Sequence, residues 1–361
     1  MSNQNQKQNQ KSKPNQKFKW INGTIIVISI IVLIVYIFVV DKPADILSAV
    51  LTVKPVWLLS AAMMMVVYWL LESGILHLVT KKLYSGQRFM NTLSTSMIGQ
   101  FYNCITPFAS GGQPMQAYSM VSYGVPLGIA GSSLLVKFIV YQFSLTLYSL
   151  AMLVIYWGFF SSKVSGLATL SILGFSINMA VMLGLIFIGF AKGTAKKITE
   201  SVIRFLAKLH LVKQPDKKIE AAFQELEQFH GGFALIRHNI YTILNMFWLS
   251  VVQLTVFFLV PYFLCLAFGK SGVSPLQVIA AQAFVSMITA FVPLPGAAGG
   301  AEISFVTFFA IFMNGSDLNL SMLLWRILTF YCPIVVGAAF SFSFASGGNK
   351  IQKQCSSEPA A

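Results

Sequence analysis

The sequence predicts an all-α polytopic membrane protein, with about six full spans and two re-entrant helical hairpins in an inverted-topology repeat. Three observations lead there. Of its 361 residues, 56% are hydrophobic and only 10% charged, with a mean hydropathy of +0.72; soluble domains carry roughly 25% charged residues. Lys and Arg gather in short segments between apolar runs, as they do in cytoplasmic loops. Two apolar segments are broken at their middle by Pro and Gly: "ITPFASGGQPMQAY" (105–118) and "FVPLPGAAGGAE" (291–302).

Residues 1–19 are mostly Asn, Gln and Lys, the composition of a disordered tail. Lys7, Lys11, Lys13, Lys17 and Lys19 place it on the cytoplasmic side. The transmembrane domain is expected over 20–347. A bilayer core about 30 Å thick needs about 20 apolar residues per helix. The run 20–40 meets that length and lacks an A-x-A-like cleavage site, so it reads as a retained anchor crossing outward. The run 56–80 returns, and Lys81, Lys82 and Arg88 follow it inside.

The most polar stretch, 192–240, holds Lys192, Lys196, Lys197, Arg204, Lys208, Lys213, Lys217, Lys218 and Arg237 and is expected to be cytoplasmic. Val202, Phe205, Leu206, Leu209 and Val212 share one helical face, and Phe223, Leu226 and Phe233 another. This is the pattern of amphipathic helices on a membrane surface. The tail 348–361, with Lys350 and Lys353, is expected inside as well.

These placements constrain the rest by parity. The runs 127–160 and 167–191 are two spans, so 127 starts inside, as Arg88 does. Residues 89–126 therefore enter and leave from the cytoplasm. By the same reasoning 240–268 runs outward, 319–345 runs inward, and 273–317 enters and leaves from outside. Span, broken segment, span occurs twice with opposite sense, and interrupted segments at matching positions point to a transporter's central site. Eight plain, kinked spans give the same parity.

The first break carries chemistry. Its leading arm holds Asn91, Thr92, Ser94, Thr95, Ser96, Gln100, Asn103 and Thr106, too polar to face acyl chains. Pro107 ends it, Ser110 is the expected N-cap of the next helix, and Pro114 suits its first turn. Gly111 and Gly112 are expected to leave backbone N–H groups uncovered, at a turn that calls for positive φ. Bare N–H groups at a helix N-terminus attract anions. Gln113, Gln116 and Tyr118 add neutral donors, making a candidate phosphate site. The alternative is that Gly and Pro only turn a hairpin. In the second break Pro293 and Pro295 end one arm, Gly296, Gly299 and Gly300 form the turn, and Glu302 opens the next helix.

Four ionisable residues lie inside apolar runs: Glu72, Lys137, Glu302 and Arg326. Each costs at least ~2.5 kcal/mol there unless paired. Their charges sum to zero, and the expected pairs are Glu72 with Lys137 and Glu302 with Arg326, serving either function or helix register. His77 sits at the inner end of its span.

The net charge of +14 is spread over several loops, which argues against nucleic acid as a partner. Cys104, Cys265, Cys332 and Cys355 show no paired spacing, so neither disulfide nor metal is expected. There is no Gly-rich Lys-Ser/Thr phosphate loop, no His-Glu-x-x-His and no Gly-x-Ser-x-Gly. No ATPase, catalytic residue or cofactor is expected.

"NCITPFASGGQP" (103–114) and "PLPGAAGGAE" (293–302) resemble the two signatures of the flippase-like family defined by the transmembrane region of lysylphosphatidylglycerol synthase. The resemblance covers almost the whole chain beyond the tail. It implies a bacterial cytoplasmic-membrane protein, both termini inside, that moves anionic or aminoacylated phospholipid, or a lipid-linked substrate, between leaflets. Many relatives carry an acid where Gln113 stands and a base where Gln116 stands, so a charge-based role does not carry over. Full-length synthases add a C-terminal domain that uses aminoacyl-tRNA; ending at Ala361, this chain is expected to be the short form without it. Two alternatives stay open: phosphatidylglycerol lysyltransferase, which would need a separate synthase as partner, and a membrane scaffold. The expected ligand is membrane phospholipid.

Overall fold

The computed structural model describes residues 53–164, 166–208, 215–290, 292 and 294–354. The predicted tail and first span, Leu209, Val212, Pro293 and the chain end lie outside these residues. Every described element is a helix. In order they are α1 (Pro55–Leu83), α2 (Phe89–Ile105), α3 (Gly112–Ser122), α4 (Leu127–Ser161), α5 (Leu167–Phe190), α6 (Lys192–Lys208), α7 (Pro215–Arg237), α8 (Ile240–Phe258), α9 (Val260–Ala267), α10 (Pro275–Thr289), α11 (Gly300–Phe309), α12 (Gly315–Arg326) and α13 (Cys332–Gln354).

Among the described residues, four helical stretches are long and apolar enough to cross a membrane: α1, α4, α8–α9 and the α12–α13 rod up to Ala345. Each of the first three exposes a lipid-compatible stripe at helical spacing. On α1 it is Val56, Leu59, Met63, Val66 and Leu70, and on α4 Phe143, Leu147, Leu150 and Val154. The opposite face of α1 is inward and includes Ala61, Met65, Glu72, Leu76 and Val79. α5 is a 24-residue helix where a further span is expected.

The helices of the two broken segments are short. At 1.5 Å per residue, the 17 residues of α2 reach about 25 Å, the 15 of α10 about 22 Å, and the 11 and 10 of α3 and α11 about 16 Å. None of them alone matches a core about 30 Å thick.

Packing interlocks the two units. The opening spans α1 and α8–α9 lie against each other, while α2 packs on α13 and α10 packs on α4. Each broken segment thus leans its first arm on the other unit's closing span. Gly337 makes the α2–α13 contact close: a Cβ there would stand 2.5 Å from the Met97 carbonyl oxygen and 2.7 Å from the Phe101 Cβ. The largest core joins Met65 and Trp69 of α1 to Leu264, Phe284, Phe305, Phe309 and Trp325 of the second unit.

α7 is held on protein. Its Glu225 carboxylate accepts the Gly128 N–H at 2.7 Å, placing an acid at the positive end of α4. A Cβ on Gly128 would meet the Glu225 carbonyl oxygen at 2.4 Å, and one on Gly232 would meet Ser132 Oγ at 2.4 Å. Ile219, Phe233 and Ile236 are buried. The apolar face expected to lie on a membrane is, for α7, spent largely on α4.

Candidate functional site: two hairpin turns and two buried ion pairs

Four polar side chains of α2 are hydrogen-bonded to protein side chains. Thr92 meets Gln87 and His77, Thr95 meets Ser119 at 2.9 Å, Ser94 accepts from Tyr123, and Gln100 donates to Glu72. The expectation that this arm avoids acyl chains has a concrete cause, since Thr92, Thr95 and Gln100 have partners on α1 and α3.

The first turn departs from its sequence reading in three ways. Ser110 is not an N-cap: α3 starts at Gly112 after Gly111, and the Ser110 hydroxyl donates back to the Pro107 carbonyl at 2.9 Å. The Gly111 N–H is not bare, because it donates to Thr106 Oγ1 at 2.9 Å. Neither glycine has positive φ; Phe108 (φ 53°) and Ala109 (φ 51°) do. The glycines instead make room. A Cβ on Gly112 would lie 1.9 Å from Asn103 Oδ1, and one on Gly111 2.6 Å from the Thr106 methyl. Asn103 therefore lies over the uncapped start of α3. Gln116 is buried against Gly99 of α2, Gln113 is half-buried, and Tyr118 is exposed with its ring edge on Phe344.

The second turn repeats the first. Pro107-Phe108-Ala109 and Pro295-Gly296-Ala297 are both single 3₁₀ turns, with positive φ at their second and third residues. Five residues after each proline a helix begins on the second of two glycines, Gly112 and Gly300. The shared pattern is P-x-A-x-G-G. It was readable in the sequence by sliding one break along the other. The interval that separates Pro107 from Pro295 also separates Gly112 from Gly300 and the start of α4 from the start of α12. The two turns pack against each other.

The structure brings both expected charge pairs together. Lys137 Nζ donates to Glu72 Oε1 at 2.8 Å, and Gln100 Nε2 to the other carboxylate oxygen, so α1, α2 and α4 meet on Glu72. Tyr68 is hydrogen-bonded to Gln100 and Tyr141, which sequence reading missed. The signal was available: Tyr68 and Glu72, like Lys137 and Tyr141, are one helical turn apart. In the other pair Arg326 Nε donates to Glu302 Oε1 at 2.6 Å and Nη1 to the Gly296 carbonyl at 2.8 Å. Its guanidinium lies 5.2 Å from the Phe330 ring centroid. Arg326 is 6% exposed and precedes a π turn, Ile327–Tyr331, where Pro333 removes a helix N–H.

The family model described as "Lysylphosphatidylglycerol synthase TM region" matches residues 25–337. The chain belongs to this family. A UPF0104 membrane protein of Archaeoglobus fulgidus is 25% identical over 260 residues, 71% of this chain and 77% of that relative. Together with the apolar helices, the lysylphosphatidylglycerol synthase TM family identifies a multi-pass membrane protein. Both P-x-A-x-G-G turns, both buried ion pairs and Gly337 of the α2–α13 contact fall inside the matched region.

Proposed function

We propose that the chain is a translocase or carrier for anionic or aminoacylated phospholipid, or a lipid-linked substrate, in the bacterial cytoplasmic membrane, and that it works without its own ATPase. The observation that carries this reading is the contact between two P-x-A-x-G-G turns, each at the end of helices too short to span. In this reading α2–α3 and α10–α11 are re-entrant hairpins dipping from opposite faces, with both termini inside. Broken helices meeting at depth are tolerated where they line a substrate path. The lipid phosphate sits at the Gly112–Gln113 start of α3, beside Asn103, while Gly111 gives the turn its room. Thr106 and Ser110 shape the turn, while Gln116 and Tyr118 brace α3. On the opposite side Gly296, Gly299, Gly300 and Glu302 close the path, with Arg326 tying the second turn shut and neutralising the acid. Parting a buried ion pair leaves an uncompensated charge, which suits a gate that opens only to another anion.

The test uses purified protein in liposomes containing headgroup-labelled phosphatidylglycerol. Nucleotide-independent exchange between leaflets, above that of protein-free liposomes, is the expected result. Exchange no faster than in empty liposomes would overturn the reading. Transfer of lysine from lysyl-tRNA by the isolated chain would replace it with the lysyltransferase reading.

A further inference from the structure

Lys137 and Arg326 lie within one residue of matching places in the two units. Each lies about three turns into the closing span that follows its hairpin, Lys137 in α4 and Arg326 at the end of α12. Between the constant interval and these positions there is a slip of a single residue. The carboxylates that neutralise them do not match. Glu72 comes from the opening span α1, whereas Glu302 comes from the second arm of its hairpin. The repeat keeps the buried cation in both units and recruits the anion from wherever one is at hand.

The surroundings of Glu72 are those of an anion site. Lys137 Nζ donates to one oxygen, Gln100 Nε2 to the other, and Tyr68 links Gln100 to Tyr141. The Lys137 side chain is 12% exposed and that of Glu72 8%, so the cluster is largely shielded from water. A carboxylate and a phosphate monoanion make the same demand on such donors: one negative charge and at least two acceptor oxygens.

Resting on the translocase reading, we infer that the Lys137–Gln100 cluster is a phosphate subsite additional to the start of α3, and that Arg326 offers its counterpart in the second unit. Glu72 and Glu302 are the internal anions that a lipid phosphate displaces in turn. Each exchange replaces one anion on the cation by another, so that the cation stays paired. Handing the phosphate from one closing span to the other then moves it between the two units while each cation keeps an anion beside it.

The experiment titrates the full chain in detergent with short-chain phosphatidylglycerol, and separately with inorganic phosphate. The variants are Glu72→Gln, Lys137→Gln and the charge-swapped Glu72→Lys/Lys137→Glu. Glu72→Gln removes the competing anion, and the lipid should bind about tenfold tighter; Lys137→Gln should bind it about tenfold more weakly. The swap keeps an ion pair but moves the cation off the closing span, and it should bind like Lys137→Gln. Wild-type affinity in both single variants at equal folded yield would overturn the inference. If the single variants do not fold, wild-type affinity in the swap overturns it alone. The expected order with inorganic phosphate but not with lipid would overturn the lipid assignment. Leaflet exchange in liposomes separates the two readings. Exchange without this order of affinities removes the subsite only, and the order without exchange removes the translocase.

Discussion

The guanidinium of Arg326 donates to the backbone carbonyl of Gly296 at 2.8 Å while its Nε holds Glu302 at 2.6 Å. One buried side chain therefore fixes both the turn and the first residues of the helix beyond it. The contact needs Gly296 to be glycine, because the Phe330 ring lies where a side chain would begin.

Gly296→Ala is expected to destabilise the protein. The added Cβ would stand 2.1 Å from Phe330 Cε2, on a residue with φ of +60°. Overpacking of this kind costs about 1–3 kcal/mol. The matching residue of the first turn, Phe108, holds positive φ with a side chain 62% exposed. Phe108→Gly should stabilise by about 1 kcal/mol, since left-handed backbone costs roughly 1–2 kcal/mol per non-glycine residue. Melting temperatures in detergent of the two variants should move in opposite directions; movement in the same direction refutes the equivalence of the turns.

At Gly112 the measurement separates packing from ligand contact. Gly112→Ala puts a methyl into Asn103 and should lower folded yield. Gly112→Ala/Asn103→Ala restores the space. If α3 offers its start to a phosphate, the double variant recovers yield but still binds short-chain phosphatidylglycerol poorly. Full recovery of binding would make the glycine a packing residue. Gln113→Ala should be milder, losing about 0.5–1.5 kcal/mol of binding.

The buried pairs predict a double-mutant pattern. Arg326→Gln leaves Glu302 without its charge partner and should cost about 3–5 kcal/mol, the usual penalty for breaking a buried pair from one side. Glu302→Gln/Arg326→Gln should recover most of it. Additive losses, read from thermal unfolding in detergent, would mean that the two side chains do not depend on each other.

Orientation is testable by labelling. On a background lacking the four native cysteines, Ser85→Cys and Ser271→Cys present exposed thiols in the loops before α2 and α10. They should react from opposite sides of the membrane, Ser85 from the cytoplasm. Reaction from one side would remove the inverted repeat.

Much of this was written in the residues. The charge sum of Glu72, Lys137, Glu302 and Arg326 pointed to the two pairs that form. The twofold order of span and broken segment appears as α1 to α4 and α8 to α13. Other features were hidden because they depend on tertiary distance. No pattern in the sequence says that Asn103 will fold over Gly112, or that Thr106 will take the Gly111 N–H and relieve it of a ligand's role. The N-cap assigned to Ser110 failed because the 3₁₀ turn consumed that hydroxyl first. The amphipathic pattern of α7 was right, but periodicity cannot tell a lipid surface from the flank of α4.

The close seat of α2 on Gly337 also sets a schedule for biosynthesis. The arm that carries Asn103 leaves the ribosome some 240 residues before the helix it rests on. At about 5–20 residues per second that is a wait of roughly 10–50 s. During it Met97 and Phe101 lack their seat on α13, so α2 must shelter against α1 and α3 alone. A nascent chain stalled before 330 should then be a substrate for membrane quality control, while one stalled after 345 escapes it. For this protein the final helix is the keystone of the first hairpin.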